Sequence, residues 1–282
     1  MTYGAHEAKI YYVQESTYGT TPATPSMLGI PAENVDPAVD PGLLRIRGIG
    51  SRDLQVLKRG LRQIDLKVAY PLPSSAPIGF LQHITTLNSQ SIEVFYEKTS
   101  GIIDLLHKGC RLDKATVECS IEDVIKATVD VIGQDLAVGT AKISGATYTD
   151  HSGAVAFNES YVQRGAADGS GLADVTRVMD WKFNIENNLK RVPVIRSTSG
   201  HLLKYLQERH RVLTGELTFE FESKTEYDDV VADSEFSLKM GLGGANSALF
   251  KYCKWDKVGS PTKIEDLVSL KAPFVARDVV IS

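Results

Sequence analysis

Several large protein classes are excluded by what the 282-residue sequence lacks. Basic residues are not in excess: 31 Lys and Arg against 35 Asp and Glu give a formal charge of -4, which argues against a protein whose main task is to bind phosphates. No apolar run approaches ~18 residues, which excludes a membrane-spanning helix. The first residues show no basic stretch followed by an apolar one, so the sequence predicts no signal peptide, no membrane partner and assembly in the cytoplasm.

Residues that carry chemistry are also scarce. The cysteines Cys110, Cys119 and Cys253 are odd in number and lack CxxC spacing, which favours reduced thiols over a disulfide framework. The six histidines have no HxH or HExxH spacing, and no GxSxG nucleophile motif is present. The sequence therefore predicts no catalytic residue, no metal ligand, no cofactor and no cofactor-binding residue, and a protein that is not an enzyme.

Three weak motifs have plainer explanations. The glycines of 241–246 (GLGGAN) are followed by a strand-like stretch rather than a helix, which favours a β-turn over a dinucleotide loop. The acidic pairs at 122–123 and 265–266 recur at equivalent places, which favours loop capping or a subunit contact over acid–base catalysis. Trp181 lies on an apolar face, which favours core packing over a carbohydrate-binding or hydrolytic cleft.

Alternation of apolar and polar residues dominates the chain and predicts antiparallel strands with one packed face. The short helical signals are outnumbered by these strands, so we expect a mainly β (α+β) fold. The alternating apolar sets are Met179, Trp181, Phe183 and Ile185; Leu217, Phe219 and Phe221; Ile64, Leu66, Val68 and Tyr70; Val117, Cys119 and Ile121; and Ala127, Val129 and Val131.

Helices and loops are predicted in five places. Ala76–Thr86 and Thr225–Ala232 carry helix signals, the first about three turns long and the second with acidic residues in its first turn. Residues 201–209 (HLLKYLQER) could form a helix or a loop between strands. Residues 15–41 and 164–174 are rich in Gly, Pro, Thr or Ala and are interpreted as a loop or arm and as a flexible connector.

The two halves of the chain repeat each other. Residues 101–135 align without gaps to 244–278 at an offset of 143, with 10 identities in 35 positions where composition alone would give roughly 2. The identities include Cys110/Cys253, Asp113/Asp256, Lys114/Lys257 and Asp135/Asp278. Upstream, the strand at 62–68 matches 213–219 in pattern at an offset of 151. Because the offset falls from 151 to 143 further along the chain, the first half has about eight extra residues, which lie in the region of the two short helices. The repeat predicts two domains, at 1–145 and 146–282.

A cluster of basic residues lies just before and at the start of the strand predicted at 62–68. It can meet an acidic surface of a neighbouring subunit, lie in solvent or touch DNA, and the first alternative is favoured. The cluster comprises Arg45, Arg47, Arg52, Lys58, Arg59 and Arg62.

Stretches spread over most of the chain carry a family resemblance. The opening residues 11–25 (YYVQESTYGTTPATP) resemble the N-terminal signature of tail tube proteins of tailed bacteriophages and related archaeal viruses. Residues 46–53 (IRGIGSRD) are similar to an early loop of that family. Residues 184–189 and 209–218 resemble its later strand, long loop and returning strand.

The resemblance implies two tandem β-barrel or sandwich domains, each with a short flanking helix, the first with an N-terminal arm at about 14–45. It implies a structural virion protein whose rings stack into a hollow tail tube for genome ejection. A terminator, baseplate hub or secretion-system tube is the alternative. Partners implied are the chain itself, tape measure, sheath or tail terminator proteins, and viral DNA passing through the lumen. Because single-domain tube proteins form rings of six, a duplicated chain predicts a trimeric, pseudo-hexameric ring in the virion tail.

Overall fold

A computed structural model of the chain describes residues 3–260 and 268–282 and confirms the mainly β class. The first-half strands are β1 Ala8–Gln14, β2 Ser26–Ile30, β3 Asn34–Asp40, β4 Leu44–Ile46, β5 Val56–Lys58, β6 Gln63–Pro71, β7 Gln90–Lys98, β8 Gly101–Ser120, β9 Lys126–Gly133, β10 Asp135–Gly139 and β11 Thr147–Thr149. The others are β12 Val162–Ala166, β13 Ala173–Asp174, β14 Val178–Glu186, β15 Lys190–Val192, β16 Tyr205–Gln207, β17 Val212–Glu220, β18 Phe236–Gly241, β19 Ser247–Trp255, β20 Ser269–Ala276 and β21 Asp278–Ile281. The described residues also form two α-helices, α1 His83–Thr86 and α2 Thr225–Ala232.

Three connected sheets contain most of these strands. The first has the order β11-β2-β1-β7-β8-β10. The second, which we call the long sheet, has the order β3-β6-β9-β8-β14-β17-β20 and ends on the last residues of β19. The third has the order β13-β12-β18-β19-β21. Strands β8 and β19 each belong to two sheets, so the three sheets are continuous.

One hydrophobic core runs through both halves between the sheets. Alternating residues of β6, β8 and β9 face it from the first half, and those of β14, β17 and β20 from the second. Phe183, Phe250 and Phe274 are fully buried there, with ring centroids 5.1 and 5.6 Å apart in successive pairs. In the described part of the chain the sheets are layered and not closed into a barrel. The barrel form implied by the resemblance is therefore not the one that the described residues adopt.

The strand pairings of the two halves follow the same plan. β10 pairs with β8 as β21 pairs with β19, and the register is the same at the offset of 143: Asp135 lies opposite Lys108, and Asp278 opposite Lys251. β7–β8 and β18–β19 carry an irregularity at equivalent places, where Gly109 (φ 62°) and Tyr252 (φ 52°) adopt left-handed backbone. A bulge bends its strand, and both bends occur where the strand passes from one sheet to another.

The register corrects one feature of the sequence alignment. Ile64 of β6 lies opposite Gly133, and Leu213 of β17 lies opposite Ala276. Since Gly133 and Ala276 are equivalent at offset 143, β6 and β17 are equivalent at offset 149, not 151. A shift of two residues keeps every side chain on its face of the strand, so alternation alone cannot distinguish the two alignments.

Helix α2 has the predicted bounds, whereas the other helix is shorter than predicted. Only His83–Thr86 is α-helical in the predicted range 76–86, and the residues before it form successive turns. Pro77 and Gly79 in that stretch disfavour a continuous helix. Residues 201–209, left open between helix and loop, contain the short strand β16.

Two stretches interpreted as loops contain strands. The range 15–41 holds β2 and β3, and Pro37 fits in β3 because its partner β6 lies on one side only among the described residues. The range 164–174 is a hairpin within the second half, since β12 pairs with β13 across it. The chain also remains bonded to the first half beyond 145, because β11 pairs with β2 and the Val155 amide donates to Leu72 O at 2.9 Å. The domain boundary at 145 stays a prediction.

Candidate assembly surfaces

The opening signature has a structural role. The buried Glu15 carboxylate accepts hydrogen bonds from the Gly19 amide, the Ser91 hydroxyl and the Gly109 amide, each at 2.8 Å. Gly19 has φ 75°, and a Cβ there would lie 1.9 Å from Gln134 Oε1, so the turn requires glycine. The Glu-Ser-x-x-Gly stretch therefore fastens the chain after β1 to the bulge of β8.

The basic cluster lies on a projecting hairpin. Strands β4 and β5 pair with each other, Leu44 opposite Lys58, and with no other strand of the described chain; we call residues 43–58 hairpin one. Its apolar side chains are exposed together with the arginines, so the surface is mixed apolar and basic. Such a patch on a free monomer is typical of an interface. Arg62, just beyond the hairpin, is bonded to Asp135 at 2.7 Å.

A second hairpin, residues 189–207, occupies the same place in the second half. Its strands β15 and β16 connect β14 to β17, as β4 and β5 connect β3 to β6. Unlike hairpin one, hairpin two packs on the first half of its own chain. The Arg111 guanidinium donates to Leu206 O at 3.1 Å, the Gln134 amide donates to Leu203 O at 2.9 Å, and Arg191 pairs with Asp65.

The long sheet joins the two halves through one strand pair. β14 lies antiparallel to the second part of β8, from Asp180 opposite Ser120 to Glu186 opposite Lys114. The Lys114 ammonium and the Glu186 carboxylate are 2.5 Å apart across this junction. β3, which is the first-half equivalent of β14, has no partner on its outer edge among residues 3–260 and 268–282. An exposed strand edge is a template for another chain.

The weak motifs take the structural forms favoured for them. Residues 241–246 form the turn between β18 and β19, with Gly243 at φ 96° and Gly244 at φ 57°. Asp123 accepts from the Val124 amide at 2.8 Å and pairs with Lys126, which is loop capping, whereas 265–266 lie outside the described residues. Trp181 is buried in the core and stacks on Phe183. The three cysteines are free and buried.

Buried titratable groups cluster in the first half. Burial, followed by the neighbouring Glu93 carboxylate, raises the pKa of Asp104 to about 7. Glu93 in turn accepts hydrogen bonds from the Tyr148 hydroxyl at 2.7 Å and the Ile143 amide at 3.1 Å. Burial lowers the pKa of His83 to about 4 and also lowers the pKa of His107. Asp104, His83 and His107 are buried in the packed interior of the first half, which is the cause of their shifted pKa values.

Residues 3–260 and 268–282 contain no group of three His, Cys, Asp or Glu side chains arranged to hold a metal ion. None of the helices in these ranges has the length and apolar character needed to cross a membrane.

Hairpin two is the surface that the sequence reasoning missed. Its leucines are spaced irregularly and are interrupted by Pro193 and Gly200, so neither a strand nor a helix period marks them. The available signal was the repeat. Asp40 of β3 lies opposite Gln63 of β6 as Glu186 of β14 lies opposite Val212 of β17, so β3 and β14 are equivalent at an offset of 146, and this offset pairs hairpin two with the residues around the basic cluster.

Comparison with known proteins gives a family match. A sequence model described as phage tail tube protein matches residues 5–276. Among solved structures, the chain is similar to one from the tail of an empty GTA particle computed with helical refinement in C6 symmetry, with 7% identity, a TM-score of 0.37, and coverage of 44% of this chain and 96% of that one. It is also similar to a chain from the virion of a native gene transfer agent (GTA) particle, with 5% identity, the same coverages and a TM-score of 0.34. No curated protein matches the chain.

Proposed function

Since the chain belongs to the phage tail tube protein family, we propose that three copies close into a ring and that such rings stack into a hollow tube. The protein is a structural subunit of the virion tail. Its ring would contain six equivalent β units, two from each chain, at residues of about 1–145 and 146–282.

One observation carries this proposal: the junction between the halves is a strand pair that can be repeated between chains. Within the chain, β14 extends the long sheet by pairing with β8. β3 occupies the place of β14 in the first half, and its outer edge is open among the described residues. A contact of the same kind between β3 of one chain and the second half of the next is head-to-tail. Repetition of such a contact closes a ring when the rotation between units allows it.

The charges of two exposed residues also favour a contact of this kind between chains. Glu186 pairs with Lys114 inside the chain, and the equivalents of these residues are Asp40 and Lys257. Both are exposed and of opposite charge. Continuation of the sheet from chain to chain would bring them together as Glu186 and Lys114 are brought together within it.

The remaining partners follow from the role of a tube. We propose that viral DNA passes through the lumen without sequence-specific contact, which suits a chain with a formal charge of -4. Tape measure, sheath and tail terminator proteins are the proposed neighbours of the tube. We propose that the chain acts as a structural subunit and not as an enzyme. A terminator, baseplate hub or secretion-system tube is the alternative, and the family match favours the tail tube.

Electron microscopy of the purified, assembled chain tests the proposal. We expect long hollow tubes whose rings each contain three chains of 30.8 kDa and show sixfold features at low resolution. Isolated discs would support the terminator or hub alternative. Rings of six whole chains would contradict the trimer, even if the tubes are as expected.

A further inference from the structure

Hairpin two contributes three leucines to a small separate core. Leu189, Leu203 and Leu206 are 0–9% exposed and pack with Ile132 of β9, which is 8% exposed. The cluster lies on the outer face of the long sheet, away from the main core. It is the apolar part of the contact by which hairpin two packs on the first half of the chain.

Hairpin one carries leucines at the three equivalent places, and there they are exposed. Leu43, Leu54 and Leu57 are 50, 40 and 57% exposed. Val275, which is equivalent to Ile132 at offset 143, is 45% exposed. The chain therefore holds one complete copy of the cluster and, separately, both components of a second copy.

The equivalence of the hairpins rests on local geometry. Gly42 (φ 58°) and Asn188 (φ 51°), each just before its hairpin, adopt the same left-handed backbone. The Gln55 amide donates to Ile46 O at 3.0 Å, as the Lys204 amide donates to Val192 O at 3.0 Å. After the hairpins, Arg62 pairs with Asp135 and Arg211 pairs with Asp278. The two hairpins thus share the geometry of their bases and differ in what they contact.

We propose that hairpin one of one chain docks on the Val275 face of a second copy, burying Leu43, Leu54 and Leu57 as hairpin two buries its leucines. This rests on the proposed ring and identifies the surface that joins its subunits. The occupant is a second copy because the hairpin and the face are both present on this chain, each exposed. The contact is head-to-tail, so every chain offers one hairpin and one face.

Polar groups of the Val275 face suit the same contact. Lys254 and Arg277 occupy the places of Arg111 and Gln134, which donate hydrogen bonds to the backbone carbonyls of hairpin two. Both replacements are donors, so they can serve the carbonyls of Leu57 and Leu54 in the same way.

One polar contact must differ between the packing of hairpin two within the chain and the proposed docking of hairpin one between chains. The Arg111–Glu208 ion pair would become Lys254 beside Arg59, which carry like charges. Asp233, which already pairs with Lys254 at 2.8 Å, supplies an acidic group there.

Charge substitutions on the two surfaces test the docking. We expect Leu57→Asp and Val275→Asp each to abolish rings and tubes in electron microscopy and native mass spectrometry, leaving a folded monomer. Val231→Asp, at an 88% exposed position on α2, is the matched control and should assemble as the wild type does. Thermal unfolding of each monomer reports its folding, and Val275→Thr, which keeps the β-branched shape, replaces Val275→Asp if the latter does not fold.

Mixing the two variants tests the head-to-tail geometry. Leu57→Asp keeps an intact face and Val275→Asp keeps an intact hairpin, so we expect the mixture to form a dimer while each alone stays monomeric. A photo-crosslinking residue at position 57 should label the peptide around Val275 of another, isotopically distinct copy. Crosslinks to a different region, or tubes formed by Leu57→Asp, would overturn the docking while leaving the tail tube function standing. Failure of the wild type to form any ring or tube would count against the proposed function itself.

Discussion

Glu15 Oε1 accepts a hydrogen bond from the Gly109 amide at 2.8 Å, across 94 residues of sequence. The same carboxylate accepts from Gly19 and Ser91, so one buried acid joins the end of β1 to the bulge of β8. We expect Glu15→Ala to lower the free energy of unfolding by about 3 kcal/mol, because it leaves buried donors without partners. Urea unfolding measures this effect.

Glu159→Ala is the control for Glu15. Glu159 also accepts from a backbone amide, that of Ala156 at 2.9 Å, but in an exposed turn. Its replacement should cost about 0.5 kcal/mol or less. Equal effects of the two substitutions would show that the Glu15 network does not stabilise the fold.

Asp104 makes stability depend on pH. Its pKa is about 7 in the folded chain against an ordinary value of 3.8, so between these values the folded state binds more protons than the unfolded state. The free energy of unfolding contributed by this group is therefore largest at low pH and falls as the pH rises from about 4 to about 7. We expect Asp104→Asn to lose this dependence and to be more stable than the wild type at about pH 8.

The measurement is the free energy of unfolding of the wild type minus that of Asp104→Asn, determined at each pH. His83 acts in the opposite direction: its pKa is lowered from 6.5 to about 4, so its contribution is lost as the pH falls through that interval. This contribution is common to both proteins and cancels in the difference. Parallel stability curves for the two proteins would mean that Asp104 is not perturbed.

Arg177 and Glu226 form an ion pair in which the glutamate is 2% exposed. Arg177→Met should cost about 3–5 kcal/mol, since it leaves a buried carboxylate without its cation. The double variant with Glu226→Leu should recover most of that loss, because no buried charge remains. The exposed pair Lys182–Glu118 provides the comparison, where Lys182→Met should change stability by less than about 1 kcal/mol. A double variant as unstable as Arg177→Met alone would contradict this account.

The two hairpins should respond differently to the same substitution in the monomer. Leu203→Ala removes a fully buried side chain and should cost about 2–5 kcal/mol. Leu54→Ala, at the equivalent exposed position, should change the stability of the monomer by no more than about 0.5 kcal/mol. Thermal or urea unfolding of the monomers distinguishes these cases, and equal losses would contradict the assignment of the hairpins.

The sequence contains enough to predict the class of the fold and its repeat. Alternation identifies the strands around Trp181 and Leu217 because a half-buried antiparallel strand requires it. The identities between 101–135 and 244–278 predict the equivalent registers of β8 and β19, and the described residues of both strands agree. These features are local in sequence or repeated at a fixed distance, which is why they can be read without coordinates.

Other features depend on tertiary contacts and could not be predicted. β3 contains a proline and three polar residues, and it is a strand only because β6 lies beside it. The offset of β6 and β17 was wrong by two residues, since such a slip preserves the alternation. The basic cluster could be identified from the sequence. The leucines beside it could be interpreted only from the structure, in which the equivalent leucines of hairpin two are buried.

The β8–β14 junction has a consequence for the rate and concentration at which a ring of three chains could form. Half of the contacts in such a ring would lie within single chains, where dilution cannot separate the two sides and their effective concentration is fixed by the connecting peptide. Only two encounters between molecules would then be needed to bring six units together, and the third contact between chains would close the ring within the assembled complex. Each unit would also be free to change its sequence independently of the other, which a ring of six identical chains does not allow.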